Sequence, residues 1–405
     1  MGKRDRLSGN EAIALAMKGM NLDVVAAFPI TPSTEIPQYF SQYVANGETD
    51  TLFIPVESEH SAMSACIGAQ AAGARASTAT SSCGLALMYE MLHVGASLRL
   101  PMTMACVTRA LTGPINIHND HGDAMGARDT GWIQLYAENA QEAYDNYIMA
   151  VKIAEDKQVL TPVMACQDGF ITSHAVENIE LLSDEEIGKF VGLYEPAEYL
   201  LNEEEKVAMG PYDAPAYLME HKRQQAEGMM QALPVIEKVA AEFAALSGRH
   251  YGLIEEYQTE DAERILVVLG STAGTAKQVI KNLRAKGEKV GLVKIRSYRP
   301  FPAAAVAKAI KKAKAVAVMD KAEGMSGIGG PLFGDICVAM NGLGGPRLID
   351  YMYGLGGRDV RPEHIEAVYR DLAAAMAGKA DEEQLIKKAG PYYRYLALSP
   401  AKNCQ

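Results

Sequence analysis

Closely spaced cysteines, long apolar runs and an excess of positive charge are all missing from this chain of 405 residues. Its six cysteines include no Cys-x-x-Cys pair, whereas zinc ribbons and iron–sulfur clusters need closely spaced thiolates. No apolar run is long enough to cross a bilayer, and the first residues lack the apolar core of a signal peptide. The formal net charge of -11 argues against a nucleic-acid or anionic-membrane surface. We therefore expect a cytoplasmic protein that holds no metal cluster by itself.

The residues that are present suit a globular protein with two or three cores, because 48% are hydrophobic and 22% are charged. Apolar strands alternate with helices through the first part of the chain. The strands are expected near residues 22–28, 51–56, 75–80, 102–107, 131–137 and 160–167. Because these strands are apolar without alternation, they indicate a parallel sheet that is buried on both faces.

A second alternation of strands and helices starts at Arg264 and ends near residue 377. Between the two, the pattern loosens from about residue 181 into acidic stretches and a long helical segment at 216–246. We therefore predict an α/β protein with a doubly wound first domain at residues 1–245, which includes the helical connector. A smaller α/β domain follows at 246–380, and residues 381–405 form a tail.

Polar residues recur where the predicted strands of the first domain end. In an open parallel sheet this is the edge where ligands collect, so one shared site is more probable than several unrelated loops. The residues are Thr31, Glu59, Thr80, Ser81, Ser82, Thr108, Arg109 and Asp168.

Two carboxylates, Glu57 and Glu59, stand where the second strand gives way to a helix rich in small residues. Either could stabilise the N-terminus of that helix, and this capping alternative stays open for Glu57. Arg109 directly follows a strand, where a guanidinium can grip a carboxylate in two parallel hydrogen bonds. The alternative is a salt bridge that ties down its own loop. In the loop around Thr31, one hydroxyl is expected to cap the following helix.

Four further segments have both a functional and a structural interpretation. His118, Asp120, His121 and Asp123 suggest a metal site, although a hydrogen-bonded loop is favoured because no helix or strand fixes their directions. The turn at residues 270–275 is similar to a dinucleotide loop without the full Gly-x-Gly-x-x-Gly pattern. The glycine-rich residues 324–334 suit a phosphate cradle or, preferably, a turn. Residues 354–359 form a tight loop with a possible anion-binding Arg358.

The ordered set of strand-end motifs resembles the alpha subunits of the 2-oxoacid:ferredoxin oxidoreductases, particularly those of multi-subunit pyruvate:ferredoxin oxidoreductase (pyruvate synthase). Each segment alone is a weak signal, but together they follow the family order over nearly the whole chain. The matching segments are 28–34 (Phe-Pro-Ile-Thr-Pro-Ser-Thr), 56–60 (Val-Glu-Ser-Glu-His), 80–82 (Thr-Ser-Ser) with Gly84-Leu85, 109–111 (Arg-Ala-Leu), 121–131, 167–170 (Gln-Asp-Gly-Phe) and 354–359.

This resemblance implies a fold, a cofactor and roles for five residues. The first domain is expected to be the pyrimidine-binding half of a thiamine diphosphate enzyme, and the second a transketolase C-terminal-like domain. Glu59 would lie at the pyrimidine N1′ nitrogen, where a carboxyl group promotes the iminopyrimidine tautomer and acts in catalysis. Ser81 and Ser82 would contact the cofactor, and Thr31 and Arg109 would bind the carboxylate of the 2-oxoacid.

The resemblance also implies partner subunits, because this chain lacks the Gly-Asp-Gly pattern of a diphosphate-binding half. Gly122-Asp123 is followed by Ala124, and Asp168-Gly169 is preceded by Gln167. A beta subunit would bring the diphosphate half, Mg2+ and a [4Fe-4S] cluster, and gamma and ferredoxin-like delta subunits would complete the complex.

The reaction implied for that complex turns pyruvate, coenzyme A and oxidised ferredoxin into acetyl-CoA, CO2 and reduced ferredoxin, or runs in reverse. Thr31 favours pyruvate over oxalate, because related oxalate-using enzymes have a second arginine in that loop. Three alternatives stay open. They are another substrate, 2-oxoglutarate or a branched 2-oxoacid; a nicotinamide-dependent dehydrogenase built on the Gly270 turn; and a purely structural subunit.

Overall fold

The computed structural model describes residues 3–376 and 393–399. These residues form two mainly parallel sheets with helices packed on them, so the expectation of an α/β fold is confirmed. Among the helices described, none is both long and apolar enough to cross a membrane.

The first sheet has seven strands, and every pair in it is parallel except the one at the edge formed by β12 and β6. The strand order is β12-β6-β7-β5-β4-β2-β3 once the strands are numbered along the chain. They are β2 (Val24–Ala27), β3 (Leu52–Pro55), β4 (Ala76–Thr80), β5 (Thr103–Thr108), β6 (Ile133–Tyr136), β7 (Val163–Asp168) and β12 (Ser297–Arg299).

Helices connect these strands, as parallel pairing requires. The helix Ala140–Glu155 (α7) is buried over most of its length. Its N-cap is Asn139, whose side chain accepts a hydrogen bond from the Glu142 N–H. The other helices of this part are α1 (Gly9–Gly19), α2 (Glu35–Ala45), α3 (Glu59–Ala71), α4 (Ser82–Leu87), α5 (Tyr89–Ser97), α6 (Gly122–Gly126), α8 (Asp184–Val191) and α9 (Leu218–Ser247). A small antiparallel pair, β1 (Lys3–Leu7) with β8 (Glu177–Leu181), lies beside them.

The strand predicted at residues 51–56 was expected to be buried, and that expectation is wrong. β3 lies at the edge of the sheet, and Leu52 is 60% exposed. An apolar run of this length suits a buried strand and an apolar edge strand equally, so the pattern alone does not separate the two.

The second sheet has the order β15-β14-β13-β10-β11-β9, and only β9 runs antiparallel to its neighbour. Its strands are β9 (Ile254–Tyr257), β10 (Arg264–Leu269), β11 (Val290–Ile295), β13 (Ala315–Asp320), β14 (Arg347–Met352) and β15 (Tyr393–Tyr395). Its helices are α10 (Thr272–Ala285), α11 (Ala303–Ile310), α12 (Pro331–Met340) and α13 (Pro362–Met376).

Part of the predicted tail, residues 381–405, belongs to this second sheet, because β15 pairs with β14. Residues 381–392 and 400–405 of that tail lie outside the described residues. The proposed boundary between residues 245 and 246 falls near the end of α9. The parts of the chain on its two sides are nevertheless in contact, because β12 pairs with β6.

The two sheets share one apolar cluster of buried side chains. Trp132 and Tyr136 pack in the same buried cluster as Ile295 and Tyr298, and the rings of Tyr136 and Tyr298 meet edge to face at 6.0 Å between centroids. β12 comes from the second part of the sequence and pairs with β6 of the first sheet. The second sheet is therefore held firmly against the first.

Candidate active site

The carboxyl ends of β2, β3, β4, β5 and β7 face the same edge of the first sheet, because these strands are parallel neighbours. The loops and helix ends that follow them carry Thr31, Glu59, Ser81 and Arg109. Asp168 ends β7 at the same edge. The predicted clustering of polar strand ends is thus what the topology produces.

Glu59 is the first residue of α3 and is only 6% exposed. The N-cap of this helix is Ser58, whose hydroxyl accepts a hydrogen bond from the Ser61 N–H at 3.2 Å. Within the described residues no side chain or backbone group donates a hydrogen bond to the Glu59 carboxylate. This largely buried carboxylate can therefore still accept hydrogen bonds from a bound molecule.

Glu57 is exposed and does not cap the helix. Its carboxylate accepts a hydrogen bond from the Ser61 hydroxyl instead. The capping alternative for Glu57 is therefore wrong, and this residue offers a matched neighbour to Glu59 with a different environment.

Gly84, in α4, lies directly against the Glu59 side chain. A methyl group at this position would come within 2.5 Å of Thr80 Oγ1 and 2.6 Å of Glu59 Oε1. Two hydroxyls here, Thr80 Oγ1 and Ser81 Oγ, are buried without a hydrogen-bond partner in the described part of the chain. The site thus combines an orphaned carboxylate, two orphaned hydroxyls and a glycine that leaves them space.

Ser82 has a different environment from Ser81. Its hydroxyl donates to the Ala110 carbonyl at 2.5 Å, and its backbone lies in the left-handed region with φ of 44°. The Ser82 hydroxyl could therefore meet a ligand only as an acceptor.

Arg109 follows β5 and is 7% exposed. Its Nη1 donates to the Thr31 carbonyl at 2.9 Å, and its Nε donates to the Asn116 carbonyl at 3.1 Å. It makes no ion pair with any carboxylate of the described residues, so the salt-bridge alternative is wrong. Thr31 lies beside it and is exposed. The expected helix cap in this loop is absent, because Thr34 precedes α2 without a side-chain hydrogen bond.

Asp123 ties the start of α4 to the segment that follows β5, a role that the sequence pattern did not predict. Its Oδ2 accepts hydrogen bonds from the Ser82 N–H at 2.8 Å and from the Arg109 N–H at 3.0 Å. Burial raises the pKa of Asp123 to about 7, although these backbone donors and the Ala124 N–H favour the ionised form. The carboxyl group therefore fixes the start of α4 and the start of the segment after β5.

The other members of the suggested metal set also serve the loop. Asp120 accepts hydrogen bonds from the backbone N–H groups of Gly122 and Gly356, and His121 Nε2 bonds Asp168 Oδ1 at 2.7 Å. In the described ranges these residues do not converge as ligands of one ion. The hydrogen-bonded-loop interpretation is the one observed.

Asp168 is the centre of a buried polar cluster between the two sheets. Lys321 Nζ donates to its Oδ2 at 2.8 Å, and the Ser271 hydroxyl donates to the same oxygen at 2.5 Å. Burial alone would raise the pKa of Asp168, but neighbouring Lys321 and His121 outweigh it and hold that pKa well below its usual range. Lys321 directly follows a buried strand, as Arg109 does. The same sequence pattern could therefore have identified Lys321 as a functional candidate.

In the two glycine turns at residues 270–275 and 324–334, carboxylates of the chain itself lie where a phosphate would bind. A methyl group at Gly270 would lie 2.8 Å from Asp168 Oδ1, so the turn predicted to resemble a dinucleotide loop receives Asp168. At the start of α12, the Leu332 and Phe333 N–H groups both donate to the Asp320 carboxylate at 2.9 Å. These contacts favour turns over phosphate or dinucleotide binding.

Comparison with known proteins identifies the family of this chain. Residues 15–241 match the family model for "Pyruvate flavodoxin/ferredoxin oxidoreductase, thiamine diP-bdg". Residues 262–365 match "Pyruvate:ferredoxin oxidoreductase core domain II". The first part of the chain is therefore a thiamine diphosphate-binding domain.

The relatives agree with this match over almost their whole lengths. The chain is 50% identical over 387 residues to the pyruvate synthase subunit PorA of Thermotoga maritima, which covers 95% of this chain and 98% of that one. It is 48% identical over 385 residues to PorA of Pyrococcus furiosus, covering 95% and 96%. The ketoisovalerate oxidoreductase subunit VorA of Pyrococcus horikoshii is 41% identical over 382 residues, covering 93% and 96%. The chain belongs to the pyruvate:ferredoxin oxidoreductase family, and the resemblance found in the motifs is confirmed.

Solved structures share the fold at low sequence identity. A 2-oxoglutarate:ferredoxin oxidoreductase from Magnetococcus marinus superposes with a TM-score of 0.68 at 20% identity, covering 92% of this chain and 66% of that one. This chain thus spans about two thirds of that longer chain. A split gene transketolase superposes with a TM-score of 0.52 at 12% identity, covering 92% and 98%. The predicted fold class is confirmed.

Proposed function

We propose that this chain is the alpha subunit of a pyruvate:ferredoxin oxidoreductase. The enzyme converts pyruvate, coenzyme A and oxidised ferredoxin to acetyl-CoA, CO2 and reduced ferredoxin, and it also runs in reverse as pyruvate synthase. The observation that carries the proposal is the buried Glu59 carboxylate, which lacks a donor among the described residues of a chain from this family.

The residues around Glu59 fit the pyrimidine end of thiamine diphosphate. A carboxyl group at 6% exposure suits a hydrogen bond to the N1′ nitrogen, and the partnerless Ser81 and Thr80 hydroxyls can meet other polar atoms of the cofactor. Ser82 completes this set as an acceptor. The bound cofactor supplies the electron sink for decarboxylation, while the chain supplies orientation and electrostatics.

Arg109 and Thr31 are proposed to bind the carboxylate of the 2-oxoacid. Two nitrogens of the guanidinium are held by the Thr31 and Asn116 carbonyls, while Nη2 has no partner among the described residues. A fixed, nearly buried cation can orient an anionic substrate. It must not hold the carboxylate so tightly that the loss of CO2 is penalised.

The active complex requires other subunits under this proposal. A beta subunit brings the diphosphate-binding half, Mg2+ and a [4Fe-4S] cluster, and gamma and delta subunits complete the electron path to ferredoxin. The division of this chain into a first domain at residues 1–245 and a second domain from residue 246, which includes β15 of the predicted tail 381–405, belongs to the same proposal. It is supported by two family matches on either side of residue 245.

A related substrate is the second candidate. The similarity to VorA at 41% identity favours a branched-chain 2-oxoacid as the alternative to pyruvate. A panel of pyruvate, 2-oxoglutarate and 2-ketoisovalerate, compared by kcat/KM, decides between them.

The test is pyruvate-dependent viologen reduction by the chain alone and by the complex that co-purifies with it. We expect activity only in the complex, and a decrease of at least about 10²-fold in Glu59→Gln, as for loss of an acid–base group. Glu57→Gln is the matched control, because Glu57 is an exposed carboxylate two residues away. A fully active Glu59→Gln complex would make this chain a structural subunit, and activity of the isolated chain would refute the shared-site assignment.

A further inference from the structure

The segment between β5 and α6, residues 109–121, is here named the arginine loop. It begins with Arg109, and most of its outer residues are exposed, including Ile115 at 74%. An exposed loop with little apolar burial is not fixed by packing. Its conformation, and with it the direction of the Arg109 guanidinium, must depend on polar contacts.

Several of those contacts come from a loop of the second sheet. Residues 354–357, here named the glycine loop, follow β14 and lie against the arginine loop. Asn116 Nδ2 donates to the Gly356 carbonyl at 3.1 Å, and the Gly357 N–H donates to the Asn119 carbonyl at 2.6 Å. The Gly356 N–H donates to Asp120 Oδ2 at 3.1 Å.

Only glycine suits this approach. Gly356 has φ of +60°, and a methyl group there would lie 2.5 Å from Asn116 Nδ2. Gly357 has φ of +79°, and its methyl group would lie 2.5 Å from His118 Cβ. Both positions lie in the left-handed region that favours glycine, and a methyl group at either one would displace an atom of the arginine loop.

Asn116 connects the glycine loop to Arg109. Its backbone carbonyl accepts the hydrogen bond from Arg109 Nε at 3.1 Å, while its side chain bonds Gly356 and accepts the His118 N–H at 2.7 Å. Since the Thr31 carbonyl holds Nη1, the position of Asn116 sets the orientation of the remaining guanidinium edge.

We propose that the glycine loop, acting through Asn116, positions Arg109 for the carboxylate of the 2-oxoacid. Under this proposal the second domain contributes to substrate recognition through the glycine loop, although the substrate-binding residues themselves belong to the first domain. Asn116 and Gly356 are positioning residues. This inference rests on the proposed function, since it takes Arg109 as the substrate-binding cation.

The experiment compares two alanine variants of left-handed glycines in the assembled complex. Gly356→Ala pushes on Asn116, whereas Gly342→Ala has φ of +74° with nothing within 4 Å of the new methyl group. We expect the KM for pyruvate to rise about tenfold in Gly356→Ala, as for a weakened hydrogen bond to a charged group, with kcat changed less than threefold. Gly342→Ala should keep the wild-type KM.

Asn116→Ala provides a second route if Gly356→Ala fails to fold, because Asn116 is on an exposed loop. A double-mutant cycle with Arg109→Lys tests the connection, since lysine lacks the Nε–H donor that bonds Asn116. We expect Asn116→Ala to raise the pyruvate KM in the wild-type background and to add little in the Arg109→Lys background.

The outcomes separate the two proposals. If Arg109→Lys leaves the pyruvate KM unchanged, the assignment of Arg109 to the substrate is wrong. If Arg109→Lys raises the KM while Gly356→Ala and Asn116→Ala behave like Gly342→Ala, the assignment stands and the positioning role is overturned. Additive KM effects in the cycle would also overturn it.

Discussion

A single methyl group at position 84 should displace the proposed catalytic carboxylate. In Gly84→Ala that methyl would lie 2.6 Å from Glu59 Oε1 and 2.7 Å from Glu59 Cγ. Ordinary contacts between such atoms are about 3.5 Å, so the Glu59 side chain must move by about 1 Å. Because a misplacement of about 1 Å can cost about 10²-fold in rate, we expect kcat to fall by about that factor.

The helix itself favours this substitution, which makes the prediction specific to the site. Alanine in place of glycine inside a helix stabilises it by about 1 kcal/mol. Gly68→Ala is the matched control, because Gly68 lies in α3, the helix that begins with Glu59, and its new methyl group meets nothing within 4 Å. We expect Gly68→Ala to raise the melting temperature slightly and to leave turnover unchanged.

The assay is pyruvate-dependent viologen reduction by each assembled complex, with thermal unfolding of each variant measured in parallel. Gly84→Ala should lose turnover while it still assembles with its partners. Turnover of Gly84→Ala within threefold of wild type would mean that the position of the Glu59 carboxylate does not govern the reaction.

Three other substitutions test the surrounding structure. Thr31→Arg puts a second guanidinium beside Arg109 and should weaken pyruvate turnover, whereas unchanged pyruvate kinetics would remove Thr31 from the substrate site. Asp123→Asn should alter the pH dependence of stability: burial raises the pKa of Asp123 from 3.8 to about 7, so the folded chain keeps a proton that the unfolded chain has released. Stability from this group therefore falls as pH rises from about 4 to about 7, by at most about 4 kcal/mol, and urea midpoints at pH 5 and pH 8 should differ less in Asp123→Asn than in wild type. Lys321→Met leaves the buried Asp168 without its cation and should destabilise the chain by about 3–5 kcal/mol, measured by urea unfolding, and a loss below about 1 kcal/mol would contradict the importance of that pair.

The apolar parallel strands from β2 to β7 and the strand-end positions of the polar residues could be predicted because they depend on local patterns, whereas β9, β12, β14 and β15 were not predicted. Apolar runs without alternation mark β5 and β7, and a polar residue that follows such a run marks Arg109. The helix rich in small residues that was predicted after the second strand is α3, which begins with Glu59. Gly84 belongs to one of the motif segments, but its contact with Glu59 could not be predicted, because that contact depends on where the Glu59 side chain points.

Contacts between distant segments could not be predicted in this way. The Asn116–Gly356 hydrogen bond joins residues that are 240 positions apart, and Lys321 meets Asp168 over 153 positions. A single sequence carries no signal for either pairing. The edge position of β3 was missed for a related reason, since only the strand order of the folded sheet distinguishes an edge strand from an interior one.

Strand β12 covers the edge of the first sheet beside β6. Without it, β6 would be the last strand on its side of the first sheet, with a row of unpaired N–H and C=O groups open to pairing with other chains. The residues that cover this edge come from beyond the proposed boundary near residue 245. A chain cut there would keep the whole proposed catalytic edge and still expose an aggregation-prone strand. We therefore expect a chain cut near residue 245 to self-associate more readily than the full chain.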